Sequence, residues 1–192
     1  VLRILFWVFQ ASVLAWIAAE VILQVRQWRQ GGKAKTTEWR SFGVIVLSIV
    51  VGNLLAGQAV RRVHALHIAV PYAALLVPAI LLLWLGAGYR LWAIHTLGRF
   101  FRGVVHVQEG HEVVRSGPYR HLRHPSYAGA LLAVVGIGLI WANVASWALF
   151  VGCALAGVLY RIRVEERVLH DGLGAEYADY AAHTRRLVPG IW

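Results

Sequence analysis

Three polar stretches hold most of the side chains in this sequence that could do chemistry. They are Gly110-His-Glu-Val-Val-Arg-Ser-Gly-Pro-Tyr119, Arg120-His-Leu-Arg-His-Pro-Ser-Tyr127 and Tyr160-Arg-Ile-Arg-Val-Glu-Glu-Arg-Val-Leu169. Imidazoles, phenols, guanidinium groups and carboxylates of this kind bind polar cofactors, grip anions and lie over cations. Arg161 and Glu165 are four residues apart, so in a helix they share a face. Pro125 followed by Ser126 suits a helix start, which places His124 and Tyr127 on either side of its entry. No G-x-G-x-x-G, G-x-S-x-G or H-E-x-x-H is present, so no dinucleotide, hydrolase or zinc-protease signature names a reaction. The residues alone predict a polar pocket in an enzyme or a binder. The plainer alternative is that the arginines and histidines anchor the ends of spans, with Arg161 and Glu165 pairing only to stabilise a helix.

The elements that must position these groups are long apolar runs. Apolar residues make up 59% of the 192 and charged residues 15%, and the mean hydropathy is +0.60. A run of ~20 predominantly apolar residues is enough to cross a bilayer as a helix. Spans are predicted at about 2–25, 41–60, 68–92, 127–141 and 145–160. The fold class is therefore all-α, a polytopic integral membrane protein with about five transmembrane helices. The last two are expected to form a short helical hairpin about the turn Ala142-Asn143-Val144. That hairpin brings the inner ends of spans four and five together, and with them His124, Tyr127, Arg161 and Glu165. Residues 1–92 are read as three N-terminal spans. Residues 93–192 are read as one unit: a cofactor segment, the hairpin and an amphipathic tail. Glu20 is expected to reach the headgroup layer, Asn53 and Gln58 to hydrogen-bond between helices, and Pro78 to kink the third span. Gly136 and Gly138 read as a helix-packing feature. The first run lacks a convincing cleavage site before Glu20 and is followed by further spans, so it reads as a span rather than a signal peptide.

The net charge is +10. In a chain this apolar, such an excess points to the positive-inside bias and to contact with anionic headgroups of membrane lipids. Nucleic acid is not an expected partner, because neither zinc-finger spacing nor a soluble basic helix is present. His64 and His67 have no cysteine or carboxylate beside them, so no metal site is predicted. Cys153 is the only cysteine, lies in an apolar run and reads as packing. Lys and Arg at 26, 29, 33, 35 and 40, at 90, 99, 102, 115, 120 and 123, and at 161, 163, 167, 185 and 186 fall on one side of five crossings, sixteen in all. Only Arg3, Arg61 and Arg62 fall on the other. This asymmetry puts the N-terminus outside and the C-terminus in the cytoplasm of a multi-pass cell-membrane protein, with a bacterial inner membrane the expected location.

The ordered set Gly117-Pro-Tyr-Arg-His-Leu-Arg-His-Pro-Ser-Tyr-Ala-Gly129, then Arg161-Ile-Arg-Val-Glu-Glu and Gly174-Ala-Glu-Tyr-Ala-Asp-Tyr180, resembles the isoprenylcysteine carboxyl methyltransferase (ICMT) family and its bacterial relatives, over roughly residues 90–192. The resemblance implies an S-adenosyl-L-methionine-dependent methyltransferase. It implies cofactor contacts from His111, Glu112, Val113, Val114, Tyr119, His124, Pro125, Ser126, Tyr127 and Glu165, and a substrate-gripping Arg161 beside Glu165. Val104 stands where the family often carries a glutamine. The implied partner is a small lipophilic acceptor, a carboxylate, entering from the bilayer. A membrane reductase using a nicotinamide cofactor, or a non-enzymatic membrane binding or scaffold protein, is the alternative.

Overall fold

A computed structural model describes residues 1–29, 40–100 and 113–188 of the chain. Among them the regular elements are helical: α1 (Leu2–Arg29), α2 (Arg40–Arg62), α3 (Tyr72–Leu97), α4 (Pro125–Gly138), α5 (Val144–Leu173) and α6 (Ala175–His183), joined by short 3₁₀ turns. Four helices, α1, α2, α3 and α5, are long and apolar enough to cross a membrane. The apolar segment Pro125–Trp141, formed by α4 and the 3₁₀ turn after it, is shorter.

The helix boundaries follow local chemistry. Pro71 caps α3, where its missing N–H costs nothing, and Pro78 is accommodated inside the same helix. Pro125 opens α4. Ala142 takes the left-handed conformation at φ 46°, and Asn143 caps α5 by accepting from the Ser146 N–H at 3.0 Å. The expectation of a short fifth span is corrected here. After Tyr160 the membrane-like composition ends, but the helix does not. Arg161 to Leu169 are helix-compatible residues without proline or glycine, and α5 runs 30 residues until Gly174, at φ 55°, ends it. At 1.5 Å per residue α5 is about 45 Å long, beyond the ~30 Å hydrocarbon core, so its last turns project past it.

α3 packs most closely on α4 and α2 on α5; α4 joins the two pairs and α1 lies against α3. The α3–α4 seam depends on missing side chains. A Cβ added at Gly86 would sit 2.5 Å from the Gly129 carbonyl and the Ala133 nitrogen, and one at Gly129 would sit 2.7 Å from the Gly86 carbonyl. Gly136 faces Ala79 in the same way, so the expectation of a packing role holds there. On the other pair, Gly52 faces Cys153. Asn53 and Gln58 are exposed, and the polar link between α2 and α5 is instead Ser146 Oγ, which donates to the Ala56 carbonyl at 2.8 Å. The phase of α2 explains the difference, since Gly52, Ala56 and Ala59 are the buried positions.

The two ends of the bundle are chemically distinct. At one end, Asn143 Nδ2 donates to the Val63 carbonyl at 2.8 Å and the Ile68 N–H to the Ala142 carbonyl at 2.8 Å. At the other end lie the close of α1, α3 and the apolar part of α5, and the starts of α2 and α4. Glu20, Arg90 and Arg161 stand 18, 18 and 17 positions after the first residues of their helices. Each is therefore about 26 Å along, one shared depth at the edge of a bilayer core.

Candidate active site

That shared depth is where the chemistry gathers. Arg161 is 3% exposed, and a buried cation must be paired or hydrogen-bonded. Its Nε donates to the Tyr127 hydroxyl at 2.6 Å and its Nη1 to Ser41 Oγ at 3.2 Å. The Tyr127 hydroxyl in turn donates to Glu165 Oε2 at 2.6 Å. Arg161 and Glu165 share a helix face as expected, and the phenol of α4 stands between them. It accepts from the cation and donates to the anion, so one neutral group joins two charges in a short chain of strong hydrogen bonds. Beside it, Arg90 makes a two-pronged pair with Glu20, Nε–Oε1 at 2.5 Å and Nη2–Oε2 at 2.8 Å. It also donates through Nη1 to Ser126 Oγ at 2.7 Å. Glu20 is thus held by a partner from α3 instead of reaching freely to the headgroups. At that depth a matched cation costs less than an unpaired carboxylate.

A second charged cluster lies just beyond. Glu166 is 8% exposed and faces Arg123 Nε at 3.1 Å, His124 Nε2 at 3.4 Å and Arg186 Nε at 2.9 Å. One carboxylate therefore joins the 121–124 loop, α5 and the tail. Backbone pairing reinforces the join. The N–H groups of Arg123 and His124 donate to the carbonyls of Arg185 and Arg186 at 2.7 and 3.0 Å, and the Arg185 N–H to the His121 carbonyl at 3.1 Å. His124 is buried and its ring stacks on Tyr127 with centroids 5.7 Å apart. So His124 adjoins Tyr127 as expected, but its charged partner is Glu166 rather than Glu165.

α6 closes the far side. The Tyr180 hydroxyl donates toward the carbonyls of Tyr119 at 2.8 Å and Leu122 at 3.2 Å. Burial pushes the Tyr180 hydroxyl up to about 12, with the Arg123 charge pulling partly the other way. Tyr119 is buried under it. Burial first, and then the negative charge of Glu165, raise its hydroxyl well above the usual phenol range, so it stays a neutral donor at any ordinary pH. The Val113 N–H donates to Glu176 of α6 at 3.2 Å, and Val114 is half-buried. Pro125 and Ser126 are buried in the first turn of α4.

Among the expected site residues, Tyr119, His124, Pro125, Ser126, Tyr127, Arg161 and Glu165 come together around the start of α4, and Val113 with Val114 docks on the α6 side. His111, Glu112 and Val104 lie outside the described residues. Sequence reasoning did not find Glu166, Ser41 or the Glu20–Arg90 pair. Two adjacent glutamates at 165 and 166 did signal that one of them faces another way, but only the helix phase says which partner each meets.

Residues 79–171 match the isoprenylcysteine carboxyl methyltransferase (ICMT) family. The protein-S-isoprenylcysteine O-methyltransferase of Saccharomyces cerevisiae is 36% identical over 102 residues, 52% of this chain and 43% of that protein. Protein-S-isoprenylcysteine O-methyltransferase B of Arabidopsis thaliana is 34% identical over 109 residues, 56% of this chain and 55% of that one. The chain spans about half the length of the curated relatives it matches. A solved structure of the eukaryotic intramembrane Ras methyltransferase ICMT superposes with a TM-score of 0.53 at 24% identity, covering 82% of this chain and 55% of that chain. That likeness carries the multi-pass membrane fold.

Proposed function

Because the chain is a relative of the isoprenylcysteine carboxyl methyltransferase family, we propose that it is an S-adenosyl-L-methionine-dependent methyltransferase. Its acceptor is a small lipophilic carboxylate, met at the cytoplasmic boundary of a bacterial inner membrane. The observation that carries this reading is the Arg161–Tyr127–Glu165 chain, buried at the edge of the bilayer core in residues that match the family's motif.

The residues present suit the cofactor's chemistry. Glu165 is half-buried rather than sealed and offers a carboxylate to ribose hydroxyls or to an ammonium. The Tyr127 ring already lies against a cation, with the Arg161 guanidinium carbon 5.9 Å from its centroid. When bound, the cofactor supplies a methyl group on a sulfonium. In this reading Arg161 holds the acceptor carboxylate through its guanidinium and keeps it ionised. In a site this dry the pairing is far stronger than in water. A carboxylate held in line needs no general base near neutral pH, so what remains for the protein is positioning and exclusion of water. A lipophilic acceptor reaches this depth sideways from the bilayer, while a water-soluble cofactor arrives from the side where α5, α6 and the tail project.

Calorimetric titration of the purified chain with S-adenosylhomocysteine tests the reading. Saturable heat below millimolar ligand is expected, and its absence with folded protein overturns the cofactor assignment. Incubation with methyl-labelled cofactor and a lipid extract tests the acceptor. Label recovered only in water-soluble products overturns lateral entry.

A further inference from the structure

The turn Gly117–Arg120 has two sides. Tyr119 points inward and is buried, whereas Arg120 and His121 are exposed. Among the described residues neither of these two side chains has a hydrogen bond or an ion pair. They line a cavity of about 450 Å³ together with Arg115, Ser116 and the α3 aromatics Tyr89 and Trp92. Arg115 is already paired with Asp179 at 2.8 Å, so the uncommitted donors are Arg120 and His121. The aromatic wall is a Tyr–Trp pair in edge contact, 5.8 Å between centroids, at the end of a predominantly apolar span. Such rings sit where hydrocarbon gives way to headgroups.

What leads into this cavity is as informative as what lines it. Leu81, Trp84, Leu85, Leu91 and Trp92 are each about half exposed. Their spacing puts them on one face of α3, ending at the cavity. Gly88 falls on that face, and a Cβ there would meet nothing within 4 Å. The face is therefore an apolar track about 16 Å long with a notch nearer its cavity end. A free inorganic anion would use the cavity but has no use for the track. A molecule with an alkyl chain and a negatively charged phosphate uses both.

We propose that this cavity binds the phosphate of an anionic phospholipid, from Arg120 and His121, with one acyl chain lying along the α3 track over Gly88. The site is separate from the Tyr127–Arg161–Glu165 cluster and does not depend on the methyl-transfer reading.

The test uses the full chain in detergent, with native mass spectrometry to count retained phosphatidylglycerol against phosphatidylcholine. Wild type is expected to retain one phosphatidylglycerol in preference. The Arg120→Gln/His121→Gln double variant should lose that retention at least ~fivefold, about 1 kcal/mol by the affinity relation, while its lipid-free melting temperature stays unchanged. Gly88→Phe should weaken retention by filling the notch, with both cationic groups intact. Arg163→Gln, at an exposed arginine on α5, should behave as wild type. Equal loss in Arg163→Gln would mean a diffuse basic surface and overturns the site, as does undiminished retention in the double variant. Inorganic phosphate displacing the lipid with Gly88→Phe unaffected would mean a free-anion site and overturns the lipid assignment.

Discussion

At the scale of single residues, the two ends of the Arg161–Tyr127–Glu165 chain are expected to do different work. Glu165→Gln keeps the shape and most of the hydrogen-bonding reach but removes the charge, so cofactor affinity should fall roughly tenfold or more, about 1.4 kcal/mol. Arg161→Lys keeps the charge but loses the planar fork; turnover should fall while cofactor affinity stays nearly intact. Titration and initial rates on both variants separate these effects. If both lose only melting temperature, and each folded molecule binds cofactor as wild type does, the pair is merely structural. Glu166 should behave differently again. It holds Arg123, His124 and Arg186 at once, and Glu166→Gln leaves the Arg123 and Arg186 guanidinium groups without their counter-charge and the His124 ring facing a neutral amide. Removing one partner of a buried ionic cluster costs on the order of 3–5 kcal/mol, read as a large drop in melting temperature. Arg161, Glu165, His124 and Tyr127 were legible in the sequence because short-range spacing fixes their neighbourhood. The Glu166 cluster was not, because its partners come from a loop 42 and 43 residues earlier and a tail 20 residues later, and no local pattern records that return.

At the scale of the elements, the α3–α4 seam and the docking of α6 are the parts most open to measurement. Gly86→Ala would drive a methyl group to 2.5 Å from backbone atoms of α4, which no side-chain adjustment relieves. Overpacking of this kind costs typically ~1–3 kcal/mol. Gly88→Ala, two residues on and facing open space, should be neutral or slightly stabilising, since alanine favours helix. Thermal melting of the two variants side by side checks the contrast, and equal effects would mean that helix propensity rather than close approach matters there. Gly136 was readable as a packing residue from its setting in an apolar run. Gly86 and Gly129 were not singled out, because one isolated glycine in a span does not say which neighbour approaches it. α6 and Tyr180 make a pH prediction. The folded state holds the Tyr180 proton more tightly than the unfolded chain, with a pKa pushed up to about 12 against about 10 for an exposed phenol. The stability this contributes is complete below about pH 10 and is lost as pH rises through about 12. Tyr180→Phe should therefore flatten part of the alkaline decline in melting temperature, and an unchanged decline would remove Tyr180 as a cause.

At the scale of the whole molecule, the order of crossings ties the chemistry to one face of the membrane. The all-helical, multi-pass character was legible because bilayer thickness turns hydropathy directly into element length. The meeting of α4 and α5 was legible from the short turn between them, but the closer packing of α3 on α4 and of α2 on α5 was not, since apolar surface against lipid looks like apolar surface against another helix. The length of α5 was misjudged for a related reason: polarity marks where a span leaves the hydrocarbon, and it does not end a helix. The remaining question is orientation, and charge and contacts constrain it together. Val63 and Asn143 are hydrogen-bonded, so the connector after α2 and the turn before α5 share one side. Arg161 donates to Ser41 and Arg90 to Ser126, so the start of α2, the start of α4 and the polar end of α5 share the other. Among the described residues the second side carries thirteen arginines and the first carries three, Arg3, Arg61 and Arg62, a bias that should set the second side in the cytoplasm. Reporters at the C-terminus and in the 61–67 connector should therefore give opposite signals, cytoplasmic and external, and a reporter at residues 142–143 should match the connector. A turn and a connector on opposite sides would contradict the packing of α2, α4 and α5. An external C-terminus would leave that packing standing but put the Arg161–Tyr127–Glu165 chain on the face away from the cytosol, where a cytosolic cofactor could not reach it.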